Sequence, residues 1–186
     1  RYPLERLLEF LGRVHGDRAT LGYLSVLENA VANYNHDAAA ELAQQSCLDC
    51  IITLNFDTLF EQALQRRSIP FSWTLPLVGE APIPNAAARV SIVKPHGTLP
   101  FEGFPYAPNY LAASLQYTGD RPQPETANLI AAIARSRPVL LVAGYSDNDW
   151  DIFPLLAAAP WSTVYWCQYV SPERASTPTS CSLPGR

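Results

Sequence analysis

Cys50-Ile51-Ile52-Thr53-Leu54-Asn55-Phe56-Asp57 passes from an unbroken apolar run into an amide and a carboxylate two residues apart. A short continuous apolar stretch of this kind predicts a strand covered on both faces, as in the middle of a parallel sheet. Leu59, Phe60, Ala63 and Leu64 then share one face of a predicted helix over 56–67. Strand-like runs recur at Phe71-Ser72-Trp73-Thr74, Val90-Ser91-Ile92-Val93, Val139-Leu140-Leu141-Val142-Ala143 and Thr163-Val164-Tyr165-Trp166-Cys167. Helices are predicted over 125–135 and 147–158, between and before the later runs. Strands alternating with helices define an α/β domain with a mostly parallel sheet and flanking helices.

Upstream of this region the first third is helical. Leu4, Leu7, Leu8, Leu11 and Val14 recur at helical spacing, and His15-Gly16-Asp17 ends that element. Leu21, Leu24, Leu27 and Val31 predict a second helix, and Asp37 opens a third through Gln45. Ten of the seventeen prolines fall between Pro70 and Pro124, so that stretch is loop-rich, with 101–109 expected as a surface excursion. The expected organisation is one domain over 1–172, its helical part at 1–46, followed by a loosely ordered Ser/Thr/Pro-rich tail over 173–186. The sequence starts at Arg1 and has no methionine, so it is expected to be a fragment of a longer chain. Further domains and self-association stay open.

Composition narrows the classes. With 48% hydrophobic and 16% charged residues over 186 positions, the chain is not a disordered one. Net charge is −4, and the basic set is twelve arginines plus Lys94, with no basic run. Nucleic-acid binding through a basic patch is excluded on that ground. The longest apolar stretch, around Val139 to Tyr145, is far short of a membrane span. No apolar signal segment opens the sequence, and a cytoplasmic location is expected.

Four cysteines are too few for a disulfide scaffold. Cys47 and Cys50 form a single C-x-x-C, Cys167 and Cys181 make no second pair, and His36 stands at no recognised ligand spacing. The motif leads into a strand, whereas a thioredoxin-like pair opens a helix. Reduced, half-buried thiols at a helix-to-strand junction are expected, and no zinc.

In parallel sheets, ligands bind just past the carboxyl ends of the strands. Three segments stand there: 55–57, His96-Gly97 and Gly144-Tyr145-Ser146. Read as structure, Asn55 caps a helix and Asp57 favours its positive end. Read as function, Asn55 binds a polar ligand group while Asp57 holds the loop or a second group. His96 closes an apolar strand ahead of a glycine, and an imidazole suits a general base. Ser146 with Asp149 matches a capping box, yet a glycine and a hydroxyl at a helix start also suit a phosphate or ribose. Asn55 and His96 are both expected outside the core.

In order and spacing, Thr53-Leu54-Asn55-Phe56-Asp57, Lys94-Pro95-His96-Gly97 and Gly144-Tyr145-Ser146 together resemble the sirtuin-like family of NAD-binding domains, over roughly 48–167. The resemblance implies a Rossmann-like parallel sheet with NAD, as substrate, across its strand ends. It implies Thr53, Asn55, Asp57, His96, Gly97, Gly144, Tyr145 and Ser146 as NAD-binding residues. Asn55 would contact the nicotinamide ribose or position a water, and Asp57 would lie near the carboxamide. His96 would be the base on a ribose hydroxyl, with Gly144 and Ser146 facing the adenosine half and its phosphates.

Two departures separate the chain from protein-deacylating sirtuins. No cysteine lies between Cys50 and Cys167, where those enzymes carry a zinc module, and Leu54 replaces their glutamine. Both look more like bacterial sirtuin-like domains that hydrolyse NAD, often in anti-phage defence proteins. The family's Gly-rich phosphate loop is not in this sequence and is expected upstream of Arg1. The implied function is NAD glycohydrolase, with Asn55 and His96 catalytic. Deacylase or ADP-ribosyl transferase activity and non-catalytic NAD sensing are the alternatives.

Overall fold

The structure, a computed structural model, describes residues 4–24, 26–27, 30–76, 88–99, 124–145 and 151–167. The chain divides into two compact units, Arg1–Thr118 and Gly119–Arg186. The expected excursion at 101–109, the tail from 173, Ser146 and the start of the helix expected from 147 lie outside the described residues.

The first unit opens with helices α1 (Leu4–His15) and α2 (Asp17–Leu24). Between them Gly16 takes φ +81°, a left-handed value that glycine adopts without a Cβ penalty. The second helix therefore starts and stops earlier than its apolar spacing predicts, and Val31 lies outside it, 74% exposed. Helix α3 (Tyr34–Gln44) starts at a capping box: the Asn33 side chain accepts from Asn35 N–H, and His36 Nδ1 lies 3.2 Å from the Asn33 amide. His36, whose ring packs edge-on against Phe60 at 4.8 Å, is thus a capping residue.

Strands β1 (Cys50–Ile52), β2 (Phe71–Thr74) and β3 (Val90–Val93) form a parallel sheet in the order β1-β3-β2. Ile52 and Thr74 both stand opposite Val93, so the three strands end level. The middle strand among the described residues is β3, and not β1 as its apolar run suggests. An apolar run reports cover on the two faces of a strand, which does not require a partner on both edges. Helix α4 (Leu59–Arg66) returns the chain from β1 to β2 and packs beside α3. Between the helices and the sheet Ala40, Ala43, Ile51, Ala63, Leu64, Ile69, Val90 and Ile92 make the core, with the small alanines allowing close approach.

The second unit holds α5 (Pro124–Ser136), β4 (Val139–Ala143), α6 (Phe153–Ala158) and β5 (Thr163–Cys167). Pro124 stands in the first turn of α5, where its missing N–H is no loss. The strands β4 and β5 pair in parallel from Val139–Thr163 to Ala143–Cys167. The apolar run of β4 is not buried throughout: Val142 is buried, but Val139 and Leu141 are 58% and 50% exposed. Exposure alternates along both strands, the period-two signature of a sheet with one better-covered face.

Helices joined to parallel strand pairs make this a mixed α/β, Rossmann-like architecture.

Candidate functional site

Thr53 leaves β1 by donating its N–H to Val93 O at 3.0 Å, and its hydroxyl accepts from Asn55 N–H at 3.3 Å. That side-chain turn stops the strand two residues earlier than its apolar run predicts. The next three side chains part company. Asn55 is exposed, and its side-chain amide makes no hydrogen bond among the described residues. Phe56 is buried against Leu24 and Leu99. Asp57 is half-buried, and its Oδ1 accepts from Leu59 N–H at 3.1 Å. Capping of α4 therefore falls to Asp57, which leaves the Asn55 amide open to a ligand.

The β3 end is different in character. Residues 93–99 are buried without a break, and His96 is only 4% exposed. The expectation that His96 lies outside the core is corrected by this burial. Gly97 takes φ +88°, a value that favours glycine, and its N–H donates to Lys94 O at 3.2 Å to close the turn.

Sequence reasoning missed what ties these loops together. Lys94, the only lysine of the chain, is fully buried. Its ammonium lies 2.9 Å from Glu61 Oε1, donates to Thr98 Oγ1 at 2.8 Å and donates to the Asp57 carbonyl. Glu61 is equally buried, and its Oε1 also accepts from Trp73 Nε1 at 3.0 Å. Leu99 N–H donates to Phe56 O at 2.7 Å, a second tie between the loops. Thr58-Leu59-Phe60-Glu61 has capping-box spacing, yet Thr58 makes no side-chain cap and Glu61 turns inward to Lys94. A lone lysine ending a buried apolar strand was the available signal, since such an ammonium needs a buried partner.

In the second unit Gly144 follows β4 at φ +67°, with no atom within 4 Å of where a Cβ would stand. Tyr145 stacks with Phe153 at 6.5 Å and meets Trp166 at 6.0 Å between ring centres. Ser146 lies outside the described residues, so Gly144 and Tyr145 represent the third segment. Cys47, Cys50 and Cys167 are thiols without a disulfide. Among the described residues no three His, Cys, Asp or Glu side chains converge as metal ligands.

The exposed Asn55 side chain and the buried His-Gly turn stand at the level carboxyl ends of neighbouring parallel strands, the place where open α/β sheets bind their ligands. The chain belongs to the SIR2-like domain family, whose model matches residues 49–160 and so takes in both loops and Gly144-Tyr145. Domains of this family bind NAD. No curated protein matches the chain.

Proposed function

We propose that the protein is an NAD glycohydrolase that cleaves NAD to nicotinamide and ADP-ribose. The observation supporting this most directly is the unengaged, exposed Asn55 amide on a loop bound to the buried His96-Gly97 turn. The bond between ribose C1′ and the nicotinamide nitrogen breaks, and its electron pair leaves with the neutral pyridine. The ribose passes through an oxocarbenium-like state that fixed dipoles stabilise. Asn55 holds the water whose oxygen adds to C1′, and His96 takes the proton. Thr53, Asp57 and Gly97 shape the nicotinamide-ribose side, and a role for Gly144, Tyr145 and Ser146 rests on the family resemblance alone.

Family resemblance and the single C-x-x-C support the hydrolase over a deacylase, and also support a role as an effector in anti-phage defence within the cytoplasm. The test is incubation of the protein with NAD alone, followed by chromatography. Release of nicotinamide and ADP-ribose without any acyl-lysine peptide is the expected result. Turnover that requires such a peptide assigns the protein to the deacylases, and NAD binding without turnover under either condition assigns it to the sensors.

A further inference from the structure

Glu61, Trp73 and Lys94 are not among the residues expected to meet NAD, yet among the described residues Glu61 and Lys94 are fully buried as an ion pair, with half-buried Trp73 bonded to Glu61. A buried ion pair is no efficient stabiliser, because desolvating both charges offsets most of their attraction. An ammonium with three donors does, however, fix three acceptors in space at once. Here the acceptors come from different places: the Asp57 carbonyl on the loop after β1, Thr98 Oγ1 beyond the His96 turn, and Glu61 on the first turn of α4. Thr98 passes the constraint on, since its hydroxyl lies 3.1 Å from Leu99 O, and Leu99 N–H in turn holds Phe56. Asn55 and His96 thus stand on two loops that this one nitrogen atom ties together, alongside the Leu99–Phe56 bond.

We propose that Lys94 is a positioning residue for NAD cleavage: charge-neutralised by Glu61, it clamps the Asn55–Asp57 loop to the His96–Gly97 turn. Its role in turnover rests on the glycohydrolase reading above; the clamp itself does not. Displacing two reacting groups by about 1 Å costs on the order of a hundredfold in rate, which is the size of effect a clamp controls. Ground-state binding of NAD, spread over many contacts, depends on it far less.

The test uses Lys94→Met/Glu61→Gln, which removes both charges together and keeps an acceptor for Trp73, with Thr98→Val as a milder variant that leaves the ion pair intact. Steady-state NAD cleavage is measured beside amide hydrogen exchange at Leu99, with Ile92 in β3 as the reference. The expected result for a folded double variant is a kcat lower by ten- to a hundredfold or so, a KM within about twofold, and Leu99 protection down about tenfold while Ile92 is unchanged. Thr98→Val moves both readouts in the same direction by less, and decides the matter where the double variant does not fold. A folded variant that keeps wild-type kcat and Leu99 protection overturns the clamp. Where the wild-type protein does not cleave NAD, the function reading fails, and Leu99 exchange alone judges the clamp.

Discussion

The Lys94 ammonium lies 2.9 Å from the Glu61 carboxylate, and neither side chain has any contact with solvent. Glu61 Oε2 has no hydrogen-bond partner among the described residues, so the carboxylate's whole compensation runs through Oε1, to Lys94 and Trp73. Removing either charge strands the other in a medium that solvates it poorly.

That arrangement predicts strong non-additivity. Lys94→Met and Glu61→Gln should each destabilise the protein by about 3–5 kcal/mol, while the double substitution should recover much of the loss. Urea unfolding of the four proteins measures the coupling. Single substitutions that cost under about 1 kcal/mol would contradict full burial of the pair.

Asn55 and Asp57 should separate cleanly. Asn55→Ala removes an exposed, unbonded amide and should change stability by no more than about 0.5 kcal/mol, while NAD cleavage falls by a factor on the order of a hundred. Asp57→Ala removes the acceptor for Leu59 N–H and should cost about 1 kcal/mol of stability. Melting and rate measured on the same samples distinguish them. Intact turnover in Asn55→Ala would remove the water-holding role.

For His96, burial makes glutamine the better probe than alanine, because it fills most of the space of the ring. Folded His96→Gln should lose at least about a hundredfold in NAD cleavage. Near-normal turnover by that variant would end the base assignment.

Metal analysis of the purified protein should find no stoichiometric zinc. Cys47 is exposed at the surface of the α3–β1 junction, and the single C-x-x-C supplies at most two thiolates where a structural site takes four ligands. A full equivalent that survives dialysis against a chelator would reopen the deacylase alternative.

Much of the sheet was legible in the sequence. Phe71–Thr74, Val90–Val93, Val139–Ala143 and Thr163–Cys167 are strands at the predicted bounds, because proline, glycine or charged residues punctuate most of their ends. Boundaries failed where a tertiary contact overrode a local pattern. Phe56 has the spacing to begin α4 but is drawn into the pocket of Leu24 and Leu99, so the helix waits until Leu59. The motif residues Asn55, Asp57 and His96 were readable from their place after strands. The Lys94–Glu61 pair was not, since its members lie on different elements and no periodicity connects them.

Burial of the sole lysine has an analytical consequence. Folded, these 186 residues offer no lysine ε-amine to solvent, so acylating reagents and amine cross-linkers meet no side chain with which to react. Once the loops around Lys94 part, one such amine emerges at one known position. Succinimidyl-ester labelling of Lys94, followed by mass spectrometry, therefore counts opening events of the strand-end loops directly, with no engineered probe.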